Sequence, residues 1–274
     1  MCYELLDWIK IENLDWIGLS ANPNAIELLR KNKDKIRWSL LSSNPNAISL
    51  LMENMDKINW YALSWNSNAI KILKDNPNKI DWDALSYNIN AIELLKENPD
   101  KINWFYLSKN VNAISLLQDN QDKINWRLLS GNSNAIQLLK ANKNNINWSF
   151  LSQNPNAISL LKKNKHKIDW RTFSLNSNGI ELLEENKDKI RWFELCQNPN
   201  AISLLKKNQD KIDWRLLSYN PAIFTKINNY EIIIKPAINN KEIYICELFN
   251  EFIVIMIIIN ITLIYNKLWN CWIG

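Results

Sequence analysis

Tryptophan stands at residues 16, 38, 60, 82, 104, 126, 148, 170, 192 and 214, a constant spacing of 22 with no insertion or deletion. Chance does not produce this. The stretch from about residue 14 to 218 is a tandem array, and comparing its copies separates what every unit requires from what each unit is free to vary. Only 4 glycines occur in the 274 residues, which argues against a loop-rich β fold or a glycine-based nucleotide cradle. Apolar residues make up 47%, ample for a core.

The unit from Asn44 to Trp65, NPNAISLLMENMDKINWYALSW, is typical. Asn opens each copy (22, 44, 66 and on through 220), and Pro follows it in five of them. Asn is a good helix N-cap because its side-chain oxygen accepts from a free backbone N–H. Pro suits the next position because its missing N–H would have been unpaired there. At helical spacing Ala47, Ile48, Leu50, Leu51 and Asn54 share a stripe, while Ser49, Met52 and Glu53 point elsewhere. Asn54 recurs in nine units, where it fits a helix-ending residue with left-handed geometry. A short link leads to a second cap, Asn or Asp in eight of ten copies with Arg37 and Arg191 the exceptions. Behind it WYALS is long enough for about one and a half turns, α or 3₁₀.

The expected fold is therefore an all-α solenoid of 22-residue units, each a short α-helix plus a shorter α/3₁₀ helix. Helices this short are marginal alone, since isolated ones need about 12–15 residues, so neighbouring copies must hold them. The Trp column is the expected keystone of the core, where truncating one buried Trp costs about 3–5 kcal/mol. Residues 1–20 keep Leu6, Leu14, Asp15 and Trp16 and read as the N-terminal cap that an open-ended solenoid needs. The repeats run over 21–224, and a divergent hydrophobic tail occupies 225–274.

The phrase LSxNPNAIxLL…NxDKIxW, with an LLDWI start at Leu5–Ile9 and an NPAIF exit at Asn220–Phe224, resembles the Asn/Trp-rich 22-residue tandem repeat proteins of mimivirus-like giant viruses. The resemblance covers about residues 3 to 224. It implies a viral paralogue family without an assigned biochemical function, working in the host cytoplasm or the virion, and it brings no catalytic residues to carry over. The tail departs from the family pattern. Its stretch 252–266, FIVIMIIINITLIYN, has no charge between Glu251 and Lys267. Three readings stay open for it: a buried cap, a membrane anchor short of the ~20 residues a span wants, or an extension with no settled fold.

Chemistry is sparse. The formal charge of +5 is modest for this length and no nucleic-acid signature. Cys2, Cys196, Cys246 and Cys271 form no CxxC pair, which fits a reducing compartment, and the N-terminus with Glu4 and Asp7 lacks a secretory signal. His166 is the one histidine and stands in an inter-helix link. No phosphate loop or nucleophile elbow occurs. No catalytic residue, metal ligand or cofactor is expected. Lys35, Lys57, Lys79, Lys101, Lys123, Lys167, Lys189 and Lys211 form a ladder, read as a solvated edge that the preceding Asp column neutralises.

Information lies in the columns that vary. The residue after each Trp and the residue before each Asn are four apart and share a face of the short helix. That face carries Tyr61, Trp65, Tyr87 and Phe105 in the N-terminal half and Arg127, Arg171 and Arg215 in the C-terminal half. The expectation is a monomeric, non-enzymatic scaffold that binds a protein partner there, against the bland alternative that these side chains pack between units. Two further readings remain: a single-stranded nucleic-acid binder with aromatics on bases and arginines on phosphates, and a membrane-tethered scaffold anchored through 252–266.

Overall fold

The computed structural model describes residues 3–227. Residues 5–224 form one compact unit, an all-α solenoid that repeats the same short elements. In the unit quoted above, a 3₁₀ turn at Pro45–Ala47 leads into the α-helix Ile48–Met52, a second 3₁₀ turn at Met55–Lys57 follows, and a second α-helix covers Trp60–Trp65. The two α-helices are of similar length. The first is shorter than its apolar stripe suggests because Ala47, at φ −89° and ψ 1°, still belongs to the tighter turn. The stripe itself is as expected: Ala47, Leu50 and Leu51 are buried, Ser49, Met52 and Glu53 exposed.

Asn54 ends its helix differently from expectation. Its backbone sits at φ −140° and ψ 53°, not in the left-handed region, and its Nδ2 donates to the Leu50 carbonyl at 2.8 Å. A side-chain amide thus takes the free carbonyl that a left-handed residue would have satisfied through backbone N–H groups. Asn32, Asn76 and Asn98 do the same. The second cap behaves as read: Asn59 Oδ1 accepts from the Ala62 N–H at 2.9 Å, and Arg37 and Arg191 make no side-chain cap.

Between units, two fully buried polar columns carry the stacking. Ser64 Oγ donates to the Trp60 carbonyl at 2.9 Å and accepts the Asp81 N–H of the following unit at 3.1 Å. Asn66 donates both amide hydrogens backwards, to the carbonyls of Ser42 at 3.0 Å and Asn44 at 2.8 Å. Its Oδ1 accepts from Asn68 N–H at 2.9 Å, the N-cap bond. Asn68 Nδ2 adds a fourth bond across the joint, to the Pro45 carbonyl at 2.9 Å. Among the described residues no buried side-chain nitrogen or oxygen is left without a partner. Such bonds contribute only about 0.5–1.5 kcal/mol each net, but breaking one inside the core exposes the full desolvation cost of the orphaned group.

The apolar core consists of the Leu columns, Leu63 and Leu73 among them, with the small Ala column beside them, all at 0% exposure. At Phe173 the array carries a larger side chain in the Leu column, and Gly179 replaces the usual Ala. A Cβ on Gly179 would lie 2.9 Å from Phe173 Cζ, so the two changes compensate. The Trp column is not the buried keystone expected: all ten members are only half-buried. A lysine of the following unit covers the open ring face, as Lys123 does for Trp104 and Lys35 for Trp16, each 4.6 Å from the centroid.

The two ends of the array meet. Asp15 N–H donates to Ser218 Oγ at 2.8 Å, and Asn22 Nδ2 donates to the carbonyls of Ser218 at 3.0 Å and Asn220 at 2.9 Å. Asn24 Nδ2 reaches the Pro221 carbonyl at 2.9 Å. These are the inter-unit bonds of the interior joints, the one at Cys196 excepted, now made between the tenth unit and the first, so the array closes into a ring. The N-terminal segment read as a cap takes part in this joint. Trp8 packs on Trp214 with centroids 6.4 Å apart, Leu6 N–H donates to Ile223 O, and the strands Tyr3–Leu5 and Phe224–Lys226 pair. The tail readings for 252–266 lie outside the described residues.

Candidate functional site

Satisfied framework columns leave little chemistry free, so the variable columns of the second helix decide what the surface offers. The residue after each Trp points outward, because the helix buries the Leu and Ser that follow. Tyr61 is 52% exposed and Phe105 50%, and Phe193 and Ile17 in the same column are also open. The residue before each Asn lies lower on that face: Trp65 and Tyr87 are half-buried.

Three of the four aromatics read from the sequence converge, and the fourth, Phe105, joins them through Tyr106. Trp65 lies 4.6 Å from Tyr87 with planes inclined at 48°, and 6.3 Å from Tyr61 at 68°. Tyr106, one column further along the helix, completes the cluster at 5.7 Å from Trp65 and 5.2 Å from Phe105, both edge-on. Edge-to-face pairs of this kind contribute about 0.5–1.5 kcal/mol beyond their burial. The rings pack between units, and Tyr61 and Phe105 also keep an open surface. Trp65, Tyr87, Phe105, Tyr106, Lys109 and Leu128 line a cavity of about 210 Å³. Sequence reasoning missed Tyr106, Lys109 and Leu128. Lys109 could have been found, since it follows Trp65 and Tyr87 in the same column at the same spacing.

Burial pushes the Lys109 amine below the ordinary lysine value and the Tyr87 hydroxyl above the ordinary tyrosine value. The arginines do not form one continuous stripe with the rings. Arg127 lies over the Phe150 ring, 4.9 Å from its centroid, next to Lys109 at 5.7 Å from the same ring. Arg171 is engaged by Glu194 of the next unit at 2.5 Å. Arg215 is exposed two units further along the same column.

The lysine ladder divides between two kinds of contact. Lys57, Lys101 and Lys189 pair with the Asp before them, while Lys35, Lys123, Lys167 and Lys211 cover Trp faces. His166 is exposed in the 3₁₀ turn Lys165–Lys167. Cys196 stands in for serine: its Sγ donates to the Trp192 carbonyl at 3.2 Å and accepts Asp213 N–H at 3.4 Å, and burial pushes its thiol up, away from the reactive thiolate. Among the described residues no group of three or more His, Cys, Asp or Glu could hold a metal ion, and no helix is long and apolar enough to cross a membrane. Comparison with protein-family models, with curated proteins and with solved structures finds no match.

Proposed function

We propose that the protein is a non-enzymatic interaction scaffold whose docking face is the aromatic cluster around Trp65. One observation carries this reading: Tyr61 and Phe105 stand about half exposed in a column that stacking does not need, and Phe105 lines a cavity together with Trp65, Tyr87 and Tyr106. Exposed aromatics grouped in this way are the residues most enriched at binding hot spots, where truncation costs 2 kcal/mol or more. The partner in this reading is a protein. A single-stranded nucleic acid is less well served, because the rings meet edge-on rather than offering a row of free faces for bases. The kinship with the giant-virus Asn/Trp repeat proteins, and with it action in the host cytoplasm or the virion, rests on the sequence resemblance and belongs to the same proposal.

Affinity capture with paired baits tests it. Phe105→Ala should lose a partner that wild type and Phe193→Ala both retain, with its melting temperature within about 2 °C of wild type. Trp104→Ala, in the framework column, should lower the melting temperature clearly, since it removes a half-buried ring and the platform of Lys123. Trp65→Ala falls between, because Trp65 touches three rings. A Phe105→Ala bait that retains every wild-type partner would remove the docking face from consideration.

A further inference from the structure

Lys109 is the single charged residue among those that line the aromatic cavity. It projects toward the space left open at Gly131, where a Cβ would come 2.8 Å from its Nζ. The amine lies 5.7 Å from the Phe150 centroid, and no carboxylate among the described residues pairs with it. Desolvation is the one influence on its titration, with no acid opposing it. Other basic groups of the array have been matched: Arg30 with Glu53, Lys162 with Glu181, Arg171 with Glu194. The acid in the neighbouring column, Asp83, is held by Asn103 Nδ2 at 2.8 Å. A half-buried, unmatched cation at the rim of an apolar hole has one natural complement.

Resting on the scaffold reading above, we infer that the cavity receives one apolar side chain of an acidic partner segment and that Lys109 pairs with the Asp or Glu carboxylate beside that anchor. The size agrees. At about 210 Å³ the cavity is below the ~300–1,000 Å³ of sites for drug-sized ligands and offers room for a single anchoring group. The charge agrees too, because an ion pair formed here recovers the hydration that the amine has already lost, and a charge-assisted bond in such a place is stronger than one in open water.

Two tripeptides serve as probes with the full chain: acetyl-Asp-Phe-Asp-amide and its neutral isostere acetyl-Asn-Phe-Asn-amide, followed by saturation-transfer NMR. The acidic peptide should bind about tenfold more tightly than the neutral one. Lys109→Met should abolish that preference while keeping the neutral peptide bound, and Phe105→Ala should weaken both. Equal affinities in wild type, a preference that survives Lys109→Met, or no binding of either peptide at millimolar concentration would overturn the inference. So would a ten-nucleotide oligothymidylate that binds more tightly than the acidic peptide and is lost in Lys109→Met. If Phe105→Ala loses its captured partner yet the peptides show no carboxylate preference, the docking face stands and the pairing with Lys109 falls.

Discussion

The joint that closes the ring and the joints inside it use the same parts, but they depend on them differently. At an interior joint, Asp81 N–H meets Ser64 Oγ, Asn88 Nδ2 meets the carbonyls of Ser64 and Asn66, and Asn90 Nδ2 meets Ser67. The closing joint repeats this set with Asp15, Asn22 and Asn24 against Ser218, Asn220 and Pro221. Inside the array, the covalent chain keeps neighbouring units in contact even when a bond fails, so the effective concentration of partners stays high. At the closure, the partners are 196 to 203 residues apart, and the bonds and packing of the joint alone hold them together. Identical hydrogen bonds therefore do different work: inside they order a unit, at the closure they join two ends.

Replacing one amide by a carboxylate breaks this contrast most sharply. Asn132→Asp removes the donors to Ser108 and Asn110 and sets a buried charge against their carbonyls. It should cost about 3–5 kcal/mol in urea unfolding. Asn22→Asp breaks the same bonds at the closure, and there the expected effect is opening more than unfolding: a smaller stability loss but a larger radius of gyration by small-angle scattering. If the two variants lose equal stability and neither expands, the closure is no different from any other joint.

A methyl group gives the next largest effect. Gly18 occupies the column that holds Leu40 and Tyr106 elsewhere, and a Cβ there would come 2.6 Å from Ser218 Cβ and 3.0 Å from its carbonyl carbon. Neither atom is the free end of a flexible chain, so something must shift. Gly18→Ala should cost about 1–3 kcal/mol, with faster hydrogen exchange at the Asp15 amide and unchanged exchange at Asp81. The smallest effect is a repair. Cys196 holds the Asp213 N–H at 3.4 Å and its joint also lacks the fourth bond, because Ala222 replaces the usual Asn. Cys196→Ser should raise stability by about 0.5–1 kcal/mol, and a calorimetric melting temperature that fails to rise would mean that sulfur suits this position as well as oxygen.

Helical period, cap residues and the apolar stripe were legible because each depends on a few adjacent residues. The Asn22 column was only half legible. Reading its oxygen as an N-cap accounts for the bond to its own turn but not for the two bonds its amide donates to the preceding unit. A signal for the second role was present: an N-cap also tolerates Ser, Thr or Asp, and the second cap column alternates Asn with Asp, whereas this column is Asn in all ten copies. Only an amide both accepts and donates twice. The Trp column misled for the opposite reason, since constancy suggested burial when all ten rings are only half-buried and Trp16, Trp104, Trp148 and Trp192 each carry a lysine of the following unit on one face. At the candidate site, Tyr61, Trp65, Tyr87 and Phe105 were legible as outliers in their columns. Tyr106 was not, because it belongs to a third column where Leu128 and Phe150 already make large side chains ordinary. Ring closure depends on the small turn between units summed over ten steps, which no local residue pattern encodes.

That closure turns copy number into a structural constant. Nearly identical repeats in a gene invite unequal recombination, which deletes or duplicates whole units while preserving the reading frame. An open stack absorbs such an event by becoming shorter or longer. A ring of ten does not: with nine or eleven units Asp15 and Asn22 no longer arrive opposite Ser218 and Asn220 unless every joint changes its angle. The residues at the meeting point thus act as a gauge of genetic length, accepting one number of copies and rejecting its neighbours.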